Sequence, residues 1–231
     1  MINFFRNPFF LPWIYPQLTW RIPATSKELY LTFDDGPVPG PTEFVLDTLS
    51  KHTIKSTFFC IGDNIKKYPE LFTKIVSAGH VIGNHTFNHL SGWKTETNAY
   101  VENVALCEQE IHSKTKTGKL QDASYKDAYL HFSLSAGSGA RELFRPPYGR
   151  ITRDQIKSLS DYKIVMWDVL THDYSKTLSR KNCLSGAISA ARPGSIVVFH
   201  DSLKAEKNMT YVLPRFIEHF VNAGYTFKTL I

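Results

Sequence analysis

Cysteine is scarce in this chain. Cys60, Cys107 and Cys183 are the only three, an odd number without C-x-x-C spacing, which excludes a disulfide framework and a thiolate metal site. All three read as buried hydrophobes. Runs of five or more basic residues are also missing: the net charge is +6, but Lys and Arg are dispersed, so no nucleic-acid partner is expected. No apolar stretch is long enough to span a bilayer. The N-terminus, from Met1 to Pro16, is apolar, yet Pro8, Pro12 and Pro16 interrupt it and a small-residue cleavage site is absent, so it reads poorly as a secretory signal. The expected location is cytoplasmic or peripheral. Residues 1–27 are expected to form an aromatic, Pro-rich arm packed on the domain, with peripheral membrane contact as the sharper alternative.

What the chain does have is enough apolar material for one core: 231 residues, 42% hydrophobic and 13% aromatic. Strand and helix patterns alternate, which predicts an α/β fold with a parallel sheet. Seven strands are expected, at Leu29–Phe33, Ser56–Cys60, Val81–Asn84, Leu143–Arg145, Lys163–Trp167, Ser195–His200 and Tyr225–Leu230. Helical spacing joins Tyr100, Val104, Cys107 and Ile111, and again Val212, Phe216, Phe220 and Val221. Seven β/α units suggest a barrel over residues 28–231. The stretch from about residue 112 to residue 141 has weak periodicity and contains Ser-Ala-Gly-Ser-Gly, so an irregular insertion is expected there.

Two clusters about fifty residues apart carry the chemistry: Phe33-Asp34-Asp35-Gly36-Pro37 and His85-Thr86-Phe87-Asn88-His89. Two histidines at i and i+4 on one helical turn close on a single ion. A carboxylate completes a facial triad with positions open for water and substrate, as in catalytic rather than structural metal sites. In a parallel β/α barrel the carboxyl ends of the strands surround one cavity. Asp34 and Asp35, His85 and His89, Arg145, Trp167 and Asp168, and His200 all fall at such ends. Asp34-Asp35-Gly36 alone is equally a turn with an Asx cap, and a lone histidine pair is more often a surface coincidence. The joint pattern is what points to a hydrolase. His52, His80, His112, His131, His172 and His219 match no motif.

The chain resembles the polysaccharide deacetylase family (the NodB-homology, family 4 carbohydrate esterases). The resemblance rests on Thr32-Phe33-Asp34-Asp35-Gly36-Pro37, His85-Thr86-Phe87-Asn88-His89, Arg145-Pro146-Pro147-Tyr148-Gly149, a region around Trp167–Tyr174, and Ile196-Val197-Val198-Phe199-His200-Asp201, in family order from about Tyr30 onward. It implies a distorted (β/α)7 barrel with parallel strands and removal of N-acetyl groups from an N-acetylglucosamine-type carbohydrate. Asp35, His85 and His89 would hold one divalent metal, Zn²⁺ first, with Co²⁺ or Ni²⁺ as alternatives. Asp34 would be the base, His200 the acid and Arg145 the group that orients Asp34, while the backbone N–H of Tyr148 would face the oxyanion. The fourth motif departs from the family, because the position of its first Asp is Leu170. Asp168, two residues earlier on the same face of an extended segment, is the expected substitute beside His200 or Arg145. Asp173, followed by Tyr174 instead of Trp, fits the motif's second Asp. The altered motif also leaves room for a catalytically silent, glycan-binding barrel or for a different N-acyl or O-acetyl substrate.

Overall fold

The computed structural model describes residues 4–116 and 141–230. In chain order the elements are α1 (Leu11–Ile14), β1 (Glu28–Asp34), α2 (Pro41–Lys51), β2 (Thr57–Cys60), α3 (Gly62–Lys67), α4 (Pro69–Ser77), β3 (Val81–Asn84), α5 (Thr97–Lys116), β4 (Glu142–Phe144), α6 (Arg153–Ser158), β5 (Tyr162–Ile164), β6 (Val169–Leu170), α7 (Arg180–Ala190), β7 (Ile196–His200), α8 (Glu206–Asn222) and β8 (Thr226–Phe227). The strands are parallel and ordered β5-β4-β3-β2-β1-β7-β6, with β8 beside the lower half of β1.

β1 is the axis of this curled sheet. Six of its seven residues are buried, because helices cover a parallel sheet on its faces and such strands read as unbroken apolar runs. Phe33 stacks on Phe58 of β2 at 4.9 Å and on Phe199 of β7 at 6.0 Å. Gly194 turns the chain into β7 with φ +82°; a Cβ there would sit 2.0 Å from the carbonyl oxygen of Ile22.

The sheet has eight described strands where seven are expected. The expected strand Lys163–Trp167 ends early, since past Ile164 the chain bends and Asp168 N–H donates to Ile196 O, opening β6 beside β7. The two edges, β5 and β6, are not paired with each other among the described residues. The N-terminal segment lies against both: Thr19 bridges to Val165 and Arg6 to Val169. Backbone bonds from Met166 N to Thr19 O (2.7 Å) and from Leu170 N to Phe5 O (2.9 Å) occupy donors that an open edge leaves unpaired.

Helix α5 runs to Lys116, so its last turn continues past His112 into the segment expected to be irregular. Tyr100, Val104, Cys107 and Ile111 form its buried stripe. The rest of that expected insertion, residues 117–140, lies outside the described residues, as does His131.

Candidate active site

The turn after β1 is built to aim two adjacent carboxylates. Asp34 is the last residue of the strand and pairs in register with His200 at the top of β7. Neighbouring strand residues point to opposite faces, so Asp35 reaches the same cavity only by leaving the strand geometry, which it does with φ +82°. Asp201 holds the turn. Its Oδ1 accepts from Gly36 N–H at 3.1 Å and its Oδ2 from Thr42 Oγ1 at 2.6 Å. A Cβ on Gly36 would lie 2.0 Å from Asp201 Oδ2, so only glycine fits. Burial pushes the Asp201 carboxyl up to about 8, while the bonds from Thr42 and Gly36 pull the other way. Asn64 Nδ2 donates to Asp35 O at 2.7 Å from the other side.

The histidine pair does not sit on a helical turn, contrary to the spacing argument. Residues after Asn84 form an irregular loop in which Thr86 and His89 both have left-handed φ, +63° and +55°. Side chains staple this loop in place of helical backbone bonds. Asn103 Oδ1 accepts from Phe87 N–H and Asn88 N–H, Asn84 Oδ1 from Thr86 N–H, each at 2.9 Å, and Thr86 Oγ1 from Leu90 N–H at 3.1 Å. The two imidazoles are thereby brought to 5.1 Å between centroids.

Asp35 Oδ1 lies 3.2 Å from His89 Nε2 and 3.7 Å from His85 Nε2. The three ligand atoms fall within 4.8 Å of one another. His85 Nδ1 lies 2.8 Å from the carbonyl oxygen of Arg145, which only an N–H can satisfy, so Nε2 carries the free lone pair that a ligand needs. Burial pushes the His85 imidazole down to about 4, keeping it neutral. Asp35 stays ionised, its pKa lowered: burial opposes the charge, but His89, His200 and His85 outweigh it. One carboxylate and two imidazoles with ligand atoms this close together fit a divalent metal. Glu108, His112 and Glu142 form a second group of ligand-type atoms away from these strand tops, where His112 Nε2 bridges the two carboxylates at 3.4 and 3.0 Å.

Arg145 is fully buried, and each of its three nitrogens donates. Nη1 reaches Asp34 Oδ1 and Thr32 Oγ1, both at 2.7 Å; Nη2 reaches Met166 O at 2.9 Å and Nε Val165 O at 3.2 Å. Its guanidinium lies 4.1 Å from the Phe59 ring centroid. A fork so held presents one fixed donor to Asp34, leaving that carboxylate's second oxygen for other work.

His200 closes the opposite wall. Its Nδ1 lies 2.8 Å from Asp173 Oδ1, and its backbone N–H donates to Asp173 Oδ2, also at 2.8 Å. Burial disfavours the imidazolium, but Asp173, aided by Asp35 and Asp34, outweighs it and raises His200 to about 9. Tyr174 packs edge-on against the ring at 5.0 Å.

Asp168 is not part of this site. It occupies the foot of β6, where Oδ2 accepts from Ser195 Oγ at 2.6 Å and Arg192 Nε at 3.3 Å. Its backbone N–H bonds Ile196, four residues below His200, or about 13 Å along a strand. Sharing a face with Leu170 was the right periodicity at the wrong height. The carboxylate against His200 is Asp173 instead, so the departure at Leu170 leaves the acid-side histidine with a partner.

At the rim, Tyr148 has φ +61° and stands 60% exposed, its ring 4.6 Å from that of His89. Arg150 stacks between Tyr148 and Trp93 at 5.7 and 5.3 Å. Trp167 packs against Gly149, where a Cβ would come within 2.6 Å of the indole.

The sequence profile of the polysaccharide deacetylases matches residues 21–167. The chain belongs to the polysaccharide deacetylase family. It is 31% identical to a peptidoglycan-N-acetylglucosamine deacetylase of Bacillus cereus over 90% of this chain and 68% of that protein. It is likewise 31% identical to a chitooligosaccharide deacetylase of Bradyrhizobium over 76% of this chain and 71% of that protein. A solved peptidoglycan N-acetylglucosamine deacetylase, in complex with 4-naphthalen-1-yl-N-oxidanyl-benzamide, superimposes with a TM-score of 0.79 at 28% identity, covering 97% of this chain and 95% of its own. The deacetylase is therefore a carbohydrate-directed hydrolase with the half-barrel of its relatives. Asp201, Asn64 and Asn103 are the supporting residues that spacing did not single out; of these only Asp201 carried a signal, as the residue after His200 in the fifth motif.

Proposed function

We propose that this deacetylase removes the N-acetyl group of N-acetylglucosamine units in a glycan of the peptidoglycan or chitooligosaccharide type, using one divalent metal, Zn²⁺ in the first instance. The observation that carries the reading is that the Asp35–His85–His89 ligand group is flanked by an Arg-bonded carboxylate, Asp34, and a carboxylate-bonded imidazole, His200. Asp35, His85 and His89 would hold the ion, which supplies Lewis acidity that polarises the acetyl carbonyl and acidifies water. Asp34, with Oδ1 fixed by Arg145, uses its other oxygen to take the proton of the attacking water. His200, protonated with Asp173 behind it, gives a proton to the departing sugar amine, so that acetate and a free amine result. The backbone N–H of Tyr148, carried on the left-handed turn, is the proposed donor to the oxyanion, a contribution worth roughly 3–4 kcal/mol. Exposed Tyr148 and Trp93 offer ring faces on which sugars stack.

Acetate release by zinc-reconstituted protein from chitooligosaccharides and from peptidoglycan tests this reading, with Asp34→Asn as the control. Release that disappears in Asp34→Asn while the zinc content stays unchanged is the expected result. Zinc bound without release from either glycan would transfer the assignment to another acyl substrate or to a silent barrel. The Asp173–His200 pair speaks against the silent reading, since the altered fourth motif was its support.

A further inference from the structure

The N-terminal arm carries a feature that deacetylation does not use. Phe9 and Trp13 are each 77% exposed, and Phe10 and Ile14 are exposed beside them. Phe9 stacks edge-on with both Phe10 and Trp13 at 5.9 Å, so the rings form one projecting knob. The short helix α1 beneath it buries none of its residues.

This knob is held rigid. Asn7 N–H donates to Asp168 O and Asn7 Nδ2 to Trp167 O, fixing the entry to the loop. Leu11 and Tyr15 pack against the core cluster of Leu18, Trp20 and Phe144, fixing its exit. A collapsed terminus would turn its aromatics inward; here Leu11 and Tyr15 face the core while Phe9, Phe10, Trp13 and Ile14 are presented to solvent.

Directly behind the knob is a cleft of about 680 Å³ whose charged lining is Arg6, Arg21, Lys163 and Arg192 against one carboxylate, Asp168. Arg6 and Arg192 approach Asp168 at 4.0 and 3.3 Å, and Arg21 is exposed. Three arginines, Arg6, Arg21 and Arg192, against the one carboxylate give the cleft lining a positive excess.

We propose that the arm docks this deacetylase on an anionic phospholipid bilayer, with Phe9, Phe10, Trp13 and Ile14 seated among the headgroups and the basic cleft receiving lipid phosphates. Aromatic side chains favour the membrane interface, and nearby Lys and Arg add attraction to acidic lipids. A preorganised knob loses little conformational freedom on docking. None of Asp34, Asp35, His85, His89, Arg145 or His200 belongs to the patch or lines the cleft, so docking leaves the catalytic groups free.

The test is flotation of the full chain with vesicles of phosphatidylcholine alone or with about 30% phosphatidylglycerol, at low and high salt. The expected result is binding to the acidic vesicles, weakened as salt screens the cleft. Phe9→Ser/Trp13→Ser should weaken that binding about tenfold or more, and Arg21→Glu should weaken it at low salt only. Both variants should release acetate from a soluble chitooligosaccharide at the wild-type rate, which reports an intact fold. Failure of wild type to float, or acidic-vesicle binding unchanged in Phe9→Ser/Trp13→Ser, overturns the proposal. So would a concentration-dependent dimer that the double variant abolishes, since the knob would then be covered by a second copy.

Discussion

His85, buried, and His200, half-buried, stand at the tops of β3 and β7 on either side of Asp34 and Asp35, yet they are driven to opposite states. His85 gives its Nδ1 proton to a carbonyl oxygen and is pushed down to about 4 by burial; His200 faces a carboxylate and is raised to about 9. A carbonyl dipole orients a ring without compensating its charge, whereas an aspartate does both. The choice of partner on the far nitrogen thus favours the neutral ring that the proposed metal ligand needs in one case and the protonated ring that the proposed acid needs in the other.

The largest effect should come from the ligand side. His85→Ala removes a donor that nothing nearby replaces, so zinc content measured by atomic emission should fall sharply and acetate release should drop to background. On the acid side, Asp173→Asn should keep the metal and lower turnover by about 10²–10⁴-fold. It should also shift the pH profile. Asp173 raises the pKa of His200, so an uncharged Asn lets the ring lose its proton at lower pH, and the basic limb of kcat/KM moves toward acid. A limb that stays put would remove His200 as the acid. In stability the same pair has a definite sign. A histidine whose folded pKa lies above its unfolded value stabilises most below about pH 6.5 and loses that contribution as pH rises through about 9. The melting temperature of the metal-free protein should therefore fall more steeply across that window in wild type than in Asp173→Asn.

Smaller still is the effect expected at the turn that both walls share. Gly36→Ala forces a methyl group against Asp201 and should cost about 1–3 kcal/mol in chemical denaturation. Asp168→Asn should lower stability by a comparable or smaller amount, about 1–3 kcal/mol, through the loss of its bonds to Ser195 and Arg192, and leave the pH profile of acetate release unmoved. A shift of the basic limb in Asp168→Asn would reinstate it as a partner of His200.

Much of this site was legible because its groups lie in short contiguous runs. Asp34-Asp35-Gly36, His85 with His89, and Arg145 were each readable from residue type and position at a strand end, and the structure brings them together. Their backbone was not legible: the i,i+4 spacing of His85 and His89 has a helical period, but Asn84, Thr86 and Asn103 hydrogen-bond the loop into a left-handed path that no periodicity encodes. Asp168 shows a second limit. Alternation along a strand predicts the face of a residue and not its height, and height was decided by the pairing of Val169 with Val197. The interruption of the strand between β5 and β6 was equally invisible, since it depends on where Asp168 meets Ile196 rather than on hydrophobicity.

The bridges from Thr19 to Val165 and from Arg6 to Val169 join segments about 150 residues apart in sequence. On a ribosome the arm emerges well before the strands it covers and finds its partners only after the intervening chain has followed. Until then β5 and β6 have no cover on their outer edges, and the aromatic side chains of the arm have no core to rest on. Docking of the arm is accordingly a late event in folding, dominated by long loop closure. Delayed or failed docking would leave two unpaired strand edges in an otherwise assembled sheet, which makes the arm the protein's own guard against edge-to-edge aggregation.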